Sequence, residues 1–230
     1  GGALAVSGGV VMALSRLNRI LDIDEENQVA VVEPGVVTGH FQDEMRARGL
    51  YYPPDPASLK FCTMGGNVAE CAGGPSALKY GVTREYVLGL EVVLPDGRVM
   101  ETGVKTAKGV VGYDFTRLFT GSEGTLGIIT KITVRLIAYL RSSRTFLTLF
   151  SSMDRATAMI AVLLRQMTPA TLEFLDQTAL RIVHDQLPVP LPEETKALLL
   201  LKIDGDPDIV EHQAAELRHF LTTVDGLLQV

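Results

Sequence analysis

Residues Pro53 to Gly81 read PPDPASLKFCTMGGNVAECAGGPSALKYG, and the rest of the chain is organised around them. The stretch holds four prolines, five glycines and both cysteines, between segments that read as ordinary strands and helices. Two glycine pairs, Gly65-Gly66 and Gly73-Gly74, bracket NVAECA, a run of barely two helical turns. Glycine lets a backbone approach a ligand closely or take positive φ without steric cost. A short helix opening right after a glycine pair presents unpaired N–H groups and the positive end of its dipole to an anion. Such a loop suits a pyrophosphate. By spacing alone, a tight structural loop fits equally well.

Upstream of the stretch, Val10–Leu14 and Arg19–Ile23 read as short strands and Gln28–Glu33 as a strong Val-rich one. Thr38 is a fair N-cap for a helix over Gly39–Arg48, with Phe41, Met45 and Arg48 on one face and Gly49 at its end. Downstream, Val87–Leu94 and Arg98–Thr102 flank Pro95-Asp96-Gly97, which predicts a hairpin. Tyr113–Phe119 has helical spacing. A second glycine-rich loop, GSEGTLG over Gly121–Gly127, then feeds a β-rich run from Ile128 to Ile137. Glu123 in that loop reads either as an acceptor for a ligand hydroxyl or amide, or as a cap on exposed backbone N–H groups.

From about Leu140 the texture changes: glycines thin out and strands alternate with helices. Strands are expected at Thr145–Phe150, Thr171–Leu175, Ala197–Asp204 and from Leu227. Helices are expected at Asp154–Arg165, Gln177–Gln186 and Ile209–Thr222, with Pro207 at the last helix start. This order predicts an α+β layer with helices on one sheet face. It sets domain limits of 1–137 and 138–230.

Composition narrows the class. Of 230 residues, 47% are hydrophobic and 21% charged, enough apolar material for a real core. A net charge of −6 argues against nucleic acid as a partner, and no apolar run reaches the ~20 residues of a membrane span. Cys62 and Cys71 form no CxxC and have no nearby histidine, so neither a disulfide framework nor a zinc site is indicated. His40 lacks a second ligand in its helix. His212, Glu216 and His219 share a helical face that reads as solvated polar surface, leaving no metal site assigned.

GGNVAECAGGPSALKYGVTREYVLGLEVVLPDG, followed by GYDFTRLFTGSEGTLGIIT, resembles the FAD-linked oxidases of the vanillyl-alcohol oxidase/PCMH superfamily. The resemblance is to the branch of glycolate oxidase D-subunits and D-lactate or D-2-hydroxyacid dehydrogenases, and is strongest over residues 1–137. It implies an α+β fold: a PCMH-type FAD-binding domain, then part of a ferredoxin-like α+β cap. It implies noncovalent FAD, with Ser58, Cys62 and Thr63 lining the flavin. Gly65, Gly66 and Asn67 would cradle the pyrophosphate through their backbone, and Glu70, Cys71, Ala72 and Gly73 would continue the wall. Glu123, Gly124, Gly127, Ile128 and Ile129 would form the second wall.

The same resemblance marks departures. The family's earlier loop of type GGGTGLSGG is represented only by Gly1-Gly2, and the chain reads as a piece lacking both ends. Many relatives carry Asn where this chain has Cys71. The family's His-rich metal site and substrate-binding Arg and His residues have no counterpart here, so no catalytic residue is assigned and this portion alone is expected to be inactive. The implied activity is oxidation of a small 2-hydroxy acid such as glycolate or D-lactate, with partner subunits of a glycolate oxidase complex. The implied location is cytoplasmic, or peripheral to the inner membrane. The alternatives are another flavin reaction of the superfamily, such as alkyl-glycerone-phosphate synthesis or alcohol oxidation, and a non-catalytic structural subunit.

Overall fold

The Val-rich run over Gln28–Glu33 supplies the strand β2 (Val29–Val32), buried at all four positions, in a computed structural model that describes residues 5–106, 108–187 and 190–229. It lies between β1 (Ile20–Asp24) and β6 (Ile128–Arg135). The sheet continues through β4 (Val87–Val93) to β5 (Val99–Gly103), with every neighbouring pair antiparallel. Ile132 at its centre faces Val32 on one side and Leu90 on the other. Burial of such a β-branched row is what makes β6 a central strand rather than an edge. The Pro95-Asp96-Gly97 turn joins β4 to β5, with Gly97 at φ +84°.

Helix α1 (Thr38–Ala47) buries Phe41 and Met45, and Gly49 closes its end at φ +72°. Short strand β3 (Leu50–Tyr51) follows and pairs with β7 (Ile137–Ala138). Helix α2 (Met64–Glu70) buries Met64 and Val68, and α4 (Phe115–Phe119) buries Phe119. Ahead of β2, the Arg19 guanidinium donates to both carboxylate oxygens of buried Glu33, and the Arg19 amide donates at 2.8 Å. Those hydrogen bonds hold the Glu33 carboxyl below the usual glutamate range.

Three local expectations need correction. Val10–Leu14 forms no strand: Val10, Val11 and Met12 stand exposed, and β-propensity without a neighbour to pair with does not make a strand. Thr38 is the first residue of α1 and not its cap. Its hydroxyl instead donates to the Cys62 carbonyl at 3.3 Å. Arg48 lies outside the buried face and pairs with Glu44 and Glu25.

By internal packing the chain divides into two units: residues up to Gly74 with Gly81–Tyr139, and Pro75–Tyr80 with the chain from Leu140 onward. The second unit is built on an antiparallel sheet of order β11 (Leu227–Gln229), β8 (Ser142–Phe150), β10 (Ala197–Gly205), β9 (Thr171–Asp176). Period-two alternation gives it two apolar faces. Phe146, Phe150, Leu199, Leu201 and Ile203 meet helices α5 (Met153–Gln166) and α7 (Pro207–Thr222) through Met159, Leu163, Val210 and Leu217. Leu149 and Leu198 point to the other face, where α6 (Gln177–Val183) contributes Leu180. Helices therefore pack on both faces, because β10 is apolar at consecutive positions and not at alternate ones. The tail of the helix expected over Gln177–Gln186, His184–Gln186, is a 3-10 turn. A further short helix, α3 (Ala77–Tyr80), packs in this unit against β9.

Candidate functional site

Helix α2 is assembled from the glycine-rich stretch in an order the sequence did not suggest. Thr63 caps it, its Oγ1 accepting from the Gly66 amide at 3.2 Å. The helix opens at Met64, so Gly65-Gly66 sits inside the first turn and not ahead of it. The Met64 and Gly65 amides donate to the carbonyls of Val36 and Pro34, both at 2.8 Å, and the Asn67 amide donates to Thr63 O. The amides of Gly65, Gly66 and Asn67 are thus paired within the protein and are not an open anion cradle. Gly65 is needed for closeness: a Cβ there would overlap Pro34.

The second glycine-rich loop docks on the far end of this helix. The amides of Gly121 and Glu123 donate to the Val68 and Ala69 carbonyls at 2.8 and 2.9 Å, satisfying acceptors that a helix end leaves open. Cys71 closes α2 in the left-handed conformation, φ 52° and ψ 49°, with its amide on Val68 O. Side chains lock the other end. Buried Asn67 donates through Nδ2 to Thr38 Oγ1 at 2.7 Å, and the Cys62 thiol lies 3.4 Å from the same hydroxyl.

Between the two loops lies a hollow of about 170 Å³ lined by Met12, Leu14, Pro34, Gly65, Ala69, Gly124, Gly127, Ile128 and Ile129. Five expected site residues, Gly65, Gly124, Gly127, Ile128 and Ile129, come together there. No ionisable side chain lines it. Gly124, at φ +75°, has open space where a Cβ would stand, and its amide donates to no acceptor among the described residues. A hollow this size takes one part of a ligand, since whole-ligand sites run to about 300–1,000 Å³. An extended molecule with an apolar ring at one end and groups that accept from backbone amides fits it.

The other expected residues lie outside that lining. Ser58 forms a turn, its carbonyl accepting from Phe61 and Cys62 amides. Thr63, Gly66, Asn67 and Cys71 hold α2, while the Ala72 carbonyl accepts from the amide and hydroxyl of Thr83. Glu70 is exposed, and Gly73 is half-buried beside Gly74. Glu123 is exposed at φ 53°, and its carboxylate accepts no hydrogen bond among the described residues, so it is not a backbone cap. His212 is exposed, 3.4 Å from Glu216. Among the described residues no cluster of three or more His, Cys, Asp or Glu side chains could hold a metal.

Sequence reading missed Pro34, Met12, Leu14 and Ala69 as walls of the hollow. Pro34 follows a strand and carries no chemistry that would single it out. It also missed a second concavity of about 450 Å³ whose lining includes Arg84, Arg117, Arg135, Tyr113 and Asp114. Arg84 Nη2 donates to the Thr120 carbonyl at 2.9 Å, and Arg135 stacks over the Tyr86 ring at 5.0 Å. With three arginines and two carboxylates, Glu85 and Asp114, this second hollow is charged where the first is apolar.

Residues 1–103 match a family described as FAD binding domain, and residues 140–226 match FAD linked oxidases, C-terminal domain. The glycolate oxidase subunit GlcD of Bacillus subtilis (strain 168) is 46% identical over 218 residues, covering 94% of this chain and 46% of that protein. The D-lactate dehydrogenase of Anaerostipes hadrus is 37% identical, covering 94% of this chain and 48% of that protein. The chain spans about half the length of the curated relatives it matches. Among solved structures, alkyldihydroxyacetonephosphate synthase superposes with a TM-score of 0.79 over 94% of this chain and 42% of that one, at 20% identity. A p-cresol methylhydroxylase superposes with a TM-score of 0.76 over 97% and 49%, also at 20%. At that identity the likeness establishes the fold.

Proposed function

The chain belongs to the FAD-linked oxidases, and from that premise we propose that it is the cofactor-binding portion of a flavin-dependent dehydrogenase or oxidase of small 2-hydroxy acids such as glycolate or D-lactate. The observation that carries the cofactor reading is the convergence of both glycine-rich loops on one apolar hollow, tied together by the Gly121 and Glu123 amides on α2. Identity to a glycolate oxidase subunit and a D-lactate dehydrogenase supports the substrate class.

In this reading Gly65, Gly124, Gly127, Ile128 and Ile129 wall one end of noncovalently held FAD, and the open Gly124 amide donates to it. Ser58, Cys62, Thr63, Gly66, Asn67, Glu70, Cys71, Ala72, Gly73 and Glu123 form the flanking wall, most of them by fixing α2 and its loops. Met12, Leu14, Ile128 and Ile129 exclude water from the hollow. The contact of the Cys62 thiol with Thr38 supports a structural role for it and not a covalent link to the flavin. Bound FAD supplies the two-electron acceptor for the hydrogen on the substrate α-carbon. Partner subunits belong to the proposal, as does a place in the cytoplasm or at the periphery of the inner membrane. Among the described residues no helix is long and apolar enough to cross a membrane.

The test is a titration of FAD into the purified chain, followed by flavin fluorescence. Saturable quenching is expected, weaker with FMN, which lacks the adenylate half. Ala69→Leu, which fills the hollow from a helical position, should weaken binding about tenfold or more while the fold is kept. A folded chain that binds neither flavin would remove the cofactor reading and favour a structural subunit. The substrate class is tested in the full-length protein, where glycolate or D-lactate should bleach the bound flavin anaerobically and L-lactate should not.

A further inference from the structure

The arginine-lined hollow of about 450 Å³ has no part in the cofactor reading. Every residue of its lining falls within Gly81–Tyr139, inside the first unit. Its volume lies in the range of whole small-molecule sites, about 300–1,000 Å³.

The charges around it do not cancel. Asp114 is already engaged: Oδ1 accepts from the Arg117 amide at 2.9 Å, and Oδ2 lies 3.4 Å from Arg117 Nε. The Glu85 carboxylate accepts from the Val82 amide at 3.0 Å, closing the turn that precedes β4. Arg135 rests on the uncharged Tyr86 ring. Arg84 meets only the Thr120 carbonyl, through Nη2, and its Nε is buried with no acceptor. No carboxylate pairs with Arg84 or Arg135 among the described residues, and the lining holds one positive charge in excess. A guanidinium drawn partly out of water without a counter-charge is costly, and an anion in the hollow would offset that cost.

The rest of the lining is apolar and bare. Val111 is 97% exposed and Tyr113 89%, and Val104 and Phe115 also stand exposed. Large apolar side chains left uncovered around a charged concavity mark a place for a ligand. We propose that this hollow binds a small monocarboxylate with an aromatic or branched apolar body, apart from the flavin. The single excess charge matches a monoanion better than a phosphate dianion, and the planar guanidinium fork matches a carboxylate. Val111 and Tyr113 would receive the apolar body. The proposal stands on this hollow and not on the FAD reading.

Phenylacetate is the probe, titrated without FAD into the full chain isotope-labelled at its arginine nitrogens. The Arg84 Nε–H signal should shift saturably, while that of Arg19, whose Nε is occupied by Glu33, should not move. Arg84→Gln should weaken binding about tenfold or more. Val111→Asp, at an exposed position that spares the fold, should weaken it about threefold or more by repulsion, and Val111→Asn by less. Those two variants keep the test decisive should Arg84→Gln not fold. Acetate, which lacks the apolar body, and inorganic phosphate should each bind several-fold more weakly. No shift at Arg84 up to about 10 mM phenylacetate, equal affinity in the parent and Val111→Asp, or tighter binding of phosphate overturns the proposal. Added FAD should leave the phenylacetate affinity within about twofold. Displacement by FAD would give the hollow to the cofactor and overturn it as well. If the chain binds no FAD, the cofactor reading fails, while the phenylacetate titration still decides this site.

Discussion

Cys71 shows how much one backbone conformation explains. It ends α2 at φ 52° and ψ 49°, a region in which an L-residue with a Cβ costs about 1–2 kcal/mol and which helices usually close with Gly or Asn. The Asn that the family resemblance implies at this position is thus accounted for by the helix end, before any contact with a ligand is invoked. Cys71→Gly should stabilise the chain by about 0.5–1 kcal/mol, the relief being partly offset by the greater freedom of glycine in the unfolded state. Cys71→Val should destabilise it by about 1–2 kcal/mol, since a β-branched side chain suits positive φ least. Thermal unfolding measures both, at about 2–4 °C per kcal/mol for a chain of this size. A Gly variant that melts below the parent would show that the Cys71 side chain matters more than its φ.

At the scale of elements, α2 holds the two loops together, and its first turn is where it is most exposed to substitution. Thr63→Ala should cost about 1 kcal/mol through the lost cap, with Thr63→Ser recovering most of it. Gly65→Ala should cost more, about 1–3 kcal/mol, because the added methyl group meets Pro34 in a packed site. Equal losses in urea unfolding for the two alanine variants would contradict the close approach. The elements legible in the sequence were those carried by local chemistry: the β4–β5 hairpin with its Pro-Asp-Gly turn, β2 with its valines, and α7 with Pro207 at its start. The start of α2 was misplaced because glycine pairs were read as an approach to the helix. The carbonyls that satisfy its first turn come from Val36 and Pro34, about thirty residues earlier. Likewise nothing local tells Pro75–Tyr80 to leave the first unit, since the reason is Asp204, 125 positions from Lys79. Of the expected site, the residues that converge are those whose lack of side chain or apolar character lines a hollow. Asn67 and Thr63, singled out by motif, turn out to hold the backbone.

Over the whole molecule the question is how a chain of net charge −6 receives a cofactor bearing two phosphates. The apolar hollow and the arginine-lined one give opposite answers. If backbone amides beside Gly124 hold the phosphates, no Lys or Arg is engaged, and the long-range term is repulsion between cofactor and protein. Added salt shortens the Debye length from about 10 Å at 0.1 M to about 3 Å at 1 M and screens that repulsion. FAD affinity should then stay level or rise by up to about threefold between low and high salt. If instead Arg84, Arg117 and Arg135 hold the phosphates, the same salt weakens an attraction and affinity falls. The sign of the change separates the two sites without a structure of the complex. A level or rising affinity, together with a loss in Ala69→Leu, fixes the cofactor at the apolar hollow between the glycine-rich loops. A fall with salt, abolished by Arg84→Gln, would move its phosphates to the arginine-lined one.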